Sequence, residues 1–199
     1  MFAYIKGILD TKTDTFVIID VNGVGYKIFM PLKSIERLGE IKQTVKVYTH
    51  YYVREDNISL YGFLSNEELR MFELLISVSG VGAKSAIIML SEISPSSFAL
   101  AIISNDVTKL VKIPGIGKKT AARIILELKD KLKSEETINK NQELNLVIEE
   151  DNKDNEAITA LQVLGYTRRE IEKVFEKIDI KNLELEQIIK QALKYLAKN

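Results

Sequence analysis

Two segments of this chain repeat one another at an offset of 35 residues, and that repeat constrains the fold more than any other feature. Leu75, Val78, Gly80, Gly82, Lys84 and Ala86 correspond to Leu110, Ile113, Gly115, Gly117, Lys119 and Ala121. Each copy joins an apolar helix end to a Gly-x-Gly turn, a lysine and a small residue in the next helix. Glycine accepts the positive φ of a tight turn and lets backbone N–H groups approach a large anion. The N-terminus of the following helix adds unpaired donors and a partial positive charge. Lys84 beside the first turn, Lys118 and Lys119 beside the second, and Arg123 one helical turn further on supply cations. Such a site suits a phosphate and reads no base edge. It would place the protein on nucleic acid without sequence preference, with an affinity that falls steeply as salt rises.

Other readings of the glycines fit less well. Gly-Ile-Gly-Lys-Lys-Thr at 115–120 resembles a nucleotide loop, but the first glycine of a P-loop would fall at Lys112, and Lys119 stands where Ser or Thr belongs. A dinucleotide fingerprint needs a third glycine and a preceding strand, and both turns here follow helical pattern. A glycine helix cap explains one such turn. Two matched copies, each with its lysine, favour an anion site.

The net charge is +0 over 199 residues, which by itself argues against a nucleic-acid partner. The charges are segregated, however. Met71 to Lys133 carries nine Lys/Arg against five Asp/Glu, whereas Ser134 to Asn155 carries two Lys against seven Asp/Glu. A basic block followed by an acidic one indicates two functional regions. The absence of cysteine excludes disulfides, thiolate zinc sites and cysteine nucleophiles. No apolar run approaches the roughly 18–20 residues of a membrane span, and the N-terminus lacks the pattern of a signal peptide. A soluble, cytoplasmic protein is expected, with no membrane association.

The texture changes along the chain. Strands are expected near 3–10, over 15–21 and 24–30 about the Asn22-Gly23 turn, and over 44–53 and 58–63 about the polar turn at 54–57. Five short antiparallel strands suit a small OB-like barrel over residues 1–64. Helical periodicity follows over 65–133, with Ser65 as N-cap and breaks only at the glycine turns and near Ser94-Pro95. Residues 134–155 are polar and acidic and read as a flexible linker, with an apolar patch at Leu144 to Ile148 that could dock. Residues 156–199 read as a separate UBA-like three-helix unit: Glu156 to Leu164, Arg168 to Ile178 and Leu185 to Leu196. The fold class is therefore an α+β multidomain chain.

Catalytic machinery is not evident. Glu55 and Asp56 are adjacent carboxylates at a hairpin tip, and neighbours in sequence diverge in direction, unlike the converging ligands of a two-metal site. His50, the single histidine, falls in a strand and reads as structural or interfacial. No nucleophile–base pair and no ATP site stand out. The chain is expected to be no enzyme by itself and to need no cofactor or metal.

The tandem pattern is that of the helix-hairpin-helix motif, and the order of barrel, paired hairpins, acidic linker and three-helix tail closely resembles the RuvA family of Holliday-junction-binding proteins. The resemblance spans the chain and is weakest across the linker. Its most specific stretches are Asn-Gly-Val-Gly-Tyr at 22–26, Thr-His-Tyr-Tyr-Val-Arg-Glu-Asp at 49–56, Leu-Tyr-Gly-Phe at 60–63, Pro-Gly-Ile-Gly-Lys-Lys-Thr-Ala at 114–121 and Leu-Gly-Tyr at 164–166. One departure is Ala83, where the family usually has proline. It could loosen the first turn, but it keeps the turn's N–H donors and adds one.

The resemblance implies a homotetramer that holds a four-way DNA junction, with one tetramer or two on each junction. It implies that Gly80, Gly82, Lys84, Gly115, Gly117, Lys118, Lys119 and Arg123 hold DNA, and that Glu55 and Asp56 form an acidic pin at the crossover. It further implies that the C-terminal helices recruit a separate ATP-driven motor, RuvB, with the RuvC resolvase a further candidate partner. Leu161, Leu164 and Tyr166 either contact that motor or form the core of the three-helix unit. Two other readings stay open: a generic tandem-hairpin module of a repair nuclease, and a protein adaptor whose hairpins merely pack.

Overall fold

Alternation of buried and exposed residues builds the first domain, and the computed structural model, which describes residues 2–55, 57–139, 153–178 and 183–196, closes it into a barrel. The strands are β1 (Tyr4–Lys12), β2 (Phe16–Val21), β3 (Val24–Phe29), β4 (Thr44–Arg54) and β5 (Asn57–Phe63). Asn22 and Gly23 both take positive φ, 53° and 89°, the geometry a two-residue β2–β3 turn needs. β1 pairs antiparallel with β2 and β4, and the parallel β3–β5 pairing closes the ring. Leu9, Val17, Ile19, Ile28 and Val47 fill the interior with no exposed surface. Gly62 belongs there because a methyl group on it would lie 2.5 Å from Ile28 Cγ2 and Val47 Cγ1. The β3–β4 connection carries a short helix, α1 (Leu32–Arg37), which adds Ile35 to the barrel core.

The helical domain comprises α2 (Asn66–Ile76), α3 (Ala83–Glu92), α4 (Pro95–Ile103), α5 (Val107–Val111) and α6 (Lys118–Asn139). Ser65 caps α2 by accepting from Glu68 N, as its position before an acidic first turn indicates. The helices break once more than the periodicity predicts. Asn105 adopts φ of 55° and Asp106 caps α5 through Lys109 N at 3.0 Å. The short polar run Ser104-Asn105-Asp106 was the available signal. Helix α6 also outlasts its expected end near Lys133 and runs to Asn139.

Barrel and helices are joined through side chains. Glu68 Oε2 accepts from Ser34 Oγ and from Leu64 N, both at 3.0 Å. His50 Nδ1 lies 3.0 Å from Glu73 Oε1 and its ring meets the edge of Phe72, which gives the single histidine a structural place at the joint. Tyr61 contacts Phe29 on one side and Phe72 on the other, and Phe72 contacts Phe63. These contacts hold the β4–β5 hairpin in one orientation relative to the glycine turns.

The last helices are α7 (Lys153–Val163), α8 (Arg168–Phe175) and α9 (Leu185–Leu196). Helix α7 begins ahead of the expected Glu156. Helices α7 and α9 pack on α4, and one continuous buried cluster runs from Phe63 through Phe98 and Ile102 to Leu161, Ile188 and Leu193. The apolar faces of three short helices leave one side to cover, and α4, mostly apolar itself, covers it. The patch Leu144 to Ile148 lies outside the described residues. Among the described residues no single helix is long and apolar enough to cross a bilayer; the apolar pair α3 and α4 meet at 100°.

Candidate nucleic-acid interface

The two glycine turns have the same backbone. Val81 N donates to Val78 O at 3.1 Å, and Ile116 N donates to Ile113 O at 3.1 Å. Ala86 N bonds Gly82 O at 3.0 Å, and Ala121 N bonds Gly117 O at 2.9 Å, so each second glycine caps the next helix. Gly80 and Gly115 take φ of 82° and 79°, the left-handed region that disfavours side chains. Val78, Val81, Ile113 and Ile116 are buried and pin each turn to the core from beneath. The turns therefore face outward because their apolar residues point inward.

What faces outward is suited to an anion. Gly80, Gly82, Gly115 and Gly117 are all exposed. Neither α3 nor α6 has an acid in its first turn, and no side chain caps α3. The first N–H groups of α3 are thus available to a ligand, beside the positive end of the helix dipole. Lys84, Lys118 and Lys119 are exposed and take no part in an ion pair among the described residues.

Arg123 is placed differently from the lysines. Its Nη1 donates to Ser79 O at 3.2 Å, so the guanidinium reaches from α6 across to the first turn. On the same helix, Glu127 Oε2 accepts from Ser79 N at 3.1 Å. Periodicity did not single out Glu127. Its spacing of one helical turn after Arg123 is the signal that could have found it.

Glu55 is exposed at the tip of the β4–β5 hairpin, whereas Asp56 lies outside the described residues. Arg54 is drawn back from the tip, its Nε donating to the Tyr52 hydroxyl at 2.9 Å with the guanidinium over the ring. Val53 and Ile58 pair across the hairpin and are mostly exposed, at 55% and 65%. Among the described residues no cluster of His, Asp or Glu is arranged to hold a metal ion.

Leu161, Leu164 and Tyr166 are buried. In this arrangement they form the bundle's core and its seam with α2. Arg70 makes the seam: its Nη1 donates to Gly165 O at 2.7 Å and its guanidinium lies 4.2 Å from the centre of the Tyr166 ring. Among the described residues the buried Tyr166 hydroxyl has no hydrogen-bond partner. Burial first, and the nearby Glu67 carboxylate second, push its pKa well above the usual tyrosine value. Sequence reasoning missed Arg70 because its partner lies 95 residues away.

A closed barrel carrying two matched, cation-flanked glycine turns defines a DNA-binding protein of the tandem helix-hairpin-helix class. Family models agree domain by domain: "RuvA N terminal domain" matches residues 1–62, "SAM-like Helix-hairpin-helix tandem" matches 72–130, and "RuvA, C-terminal domain" matches 152–197. The chain is 55% identical to a protein of Acetivibrio thermocellus over 100% of both chains. It is 48% identical to one of Ruminiclostridium cellulolyticum over 98% of this chain and 100% of that protein. A Clostridium perfringens relative is 44% identical over 98% of this chain and 99% of its own length. Each is named Holliday junction branch migration complex subunit RuvA. This chain belongs to the RuvA family.

Proposed function

We propose that this protein binds four-way DNA junctions through their phosphates and serves as the non-catalytic, DNA-holding subunit of a cytoplasmic branch migration complex. The observation that carries the reading is the pair of matched, exposed glycine turns, each opening a helix flanked by exposed lysines. Four copies around a junction would place two such turns on each arm, as one tetramer or as two tetramers facing each other. The joint between barrel and helices would then carry the tips bearing Glu55 and Asp56 to the crossover. Carboxylates gathered there would repel phosphate at short range, where screening by salt is incomplete. Movement of the junction needs energy from a separate ATP-driven motor, RuvB, recruited by the C-terminal bundle, with the RuvC resolvase a further partner. A motor that touches Leu161, Leu164 or Tyr166 directly requires the bundle to leave its seat on α2 and α4.

A gel-shift comparison of four-way junction, duplex and single strand across a salt series tests this function. The junction should bind most tightly, and its affinity should fall linearly in logarithm with salt. Equal affinity for duplex and junction would refute junction recognition and favour a generic hairpin module.

A further inference from the structure

The two glycine turns share a backbone but are not held alike. The first is gripped at both backbone groups of one residue: Ser79 N donates to Glu127 Oε2 and Ser79 O accepts from Arg123 Nη1. Both partners stand on α6, the helix that the second turn opens. The second turn has no such grip available. At the position matching Ser79 it has Pro114, which has no N–H to offer. The positions matching Arg123 and Glu127 on α3 are Ile88 and Glu92, and isoleucine cannot bond a carbonyl.

An acid in this place works against phosphate binding unless it does something else. Glu127 is half-buried beside an exposed turn that Lys84 follows in sequence, and its charge repels an approaching phosphate. What it contributes is position. It satisfies the one turn amide that has no counterpart in the second copy, while Arg123 fixes the adjoining carbonyl. Arg123 Nη1 also lies 3.3 Å from where a Cβ on Gly80 would sit, so this brace runs directly beneath the residue with positive φ. One N–H is used on Ser79, and the guanidinium keeps other donors for a ligand.

We infer that Glu127 and Arg123 are positioning residues that lock the first turn onto the helix of the second, so that the two grips hold two phosphates at one set separation. This rests on the phosphate reading of the turns given above. Glu127 acts through Ser79 and touches no DNA.

The test uses the full-length protein, four-way junction DNA and a salt series. Glu127→Ala should weaken junction binding at least about tenfold, the effect of even one lost charge-assisted hydrogen bond across the complex, and make the salt slope shallower by at least about one phosphate. Glu127→Gln keeps an acceptor for Ser79 N while removing the charge, and should restore binding to within about twofold of the parent. An acid that only repels DNA predicts the opposite, with both variants binding more tightly, and that result overturns the inference. Ser79→Pro copies the second turn and abolishes the need for Glu127, so adding Glu127→Ala to it should weaken nothing further. If Glu127→Ala alone does not fold, that pair decides: a further tenfold loss in the Ser79→Pro background overturns the inference. Lys118→Ala with Lys119→Ala separates the two levels. No loss from the lysine pair defeats the phosphate reading itself. A loss there, with none from Glu127→Ala, defeats the brace alone.

Discussion

Gly82→Ala together with Gly117→Ala separates what the fold needs from what the ligand needs. Gly82 sits at φ of −89° and ψ of 166°, an extended conformation open to any residue. Gly117 is likewise outside the positive-φ set, and a methyl group at either position meets nothing within 4 Å. The fold therefore has no use for these glycines. Alanine should leave stability unchanged or raise it by about 0.4–1 kcal/mol per site, because it restricts the unfolded chain. Gly80→Ala and Gly115→Ala differ, since φ near 80° costs an L-residue about 1–2 kcal/mol. If phosphate seats on the turns, the new methyl groups at 82 and 117 stand in its way. Loss of even one charge-assisted hydrogen bond, about 1.5 kcal/mol, means a roughly tenfold weaker complex. Thermal melting and junction gel shifts on the same double variant provide the two readouts. A double variant that melts at or above the parent temperature yet binds the junction with parental affinity would refute close approach of phosphate to these turns.

Other perturbations probe the remaining parts. Arg70→Ala removes the bond to Gly165 O and the cation over Tyr166, worth together about 1–2 kcal/mol. Amide exchange across the α7–α8 turn should then quicken about 5–30-fold, and unchanged exchange would show that Arg70 does not hold the seam. Glu170 accepts from the Thr167 hydroxyl and backbone N–H in a capping box, and these bonds, the side-chain one first, hold its carboxyl below the ordinary glutamate value of 4.5. A depressed carboxyl stabilises the fold above pH 4.5, and that contribution is lost as the pH falls through the lowered value. Glu170→Gln should flatten the acid limb of a melting-temperature profile, and an identical limb would remove Glu170 from the explanation. Glu55→Gln with Asp56→Asn should alter branch migration while junction binding stays intact or tightens. A gel shift showing binding abolished would count against a pin.

The local features of this protein were legible in one dimension. Strand alternation placed β1 to β5, Asn22-Gly23 placed the β2–β3 turn, and the repeat at an offset of 35 placed both phosphate candidates. These succeed because φ preference, two-residue alternation and helix capping act between residues a few positions apart. Even so, Ser104-Asn105-Asp106 broke a helix that apolar periodicity carried through, since the side chain of Asp106 offered the backbone a competing bond.

Tertiary structure alone decided the long-range pairings. An amphipathic face specifies that something must cover it and not what does, so the packing of α7 and α9 on α4 could not be read from the sequence. Arg70 and Gly165 are 95 residues apart, and Glu127 and Ser79 are 48. Each is an ordinary surface residue until the chain folds back on itself. The sequence determined that two turns would face outward with lysines beside them. Only the packing of α6 against the first turn decided that they share a brace, because hydrogen-bond geometry is a property of three dimensions and leaves no periodic trace.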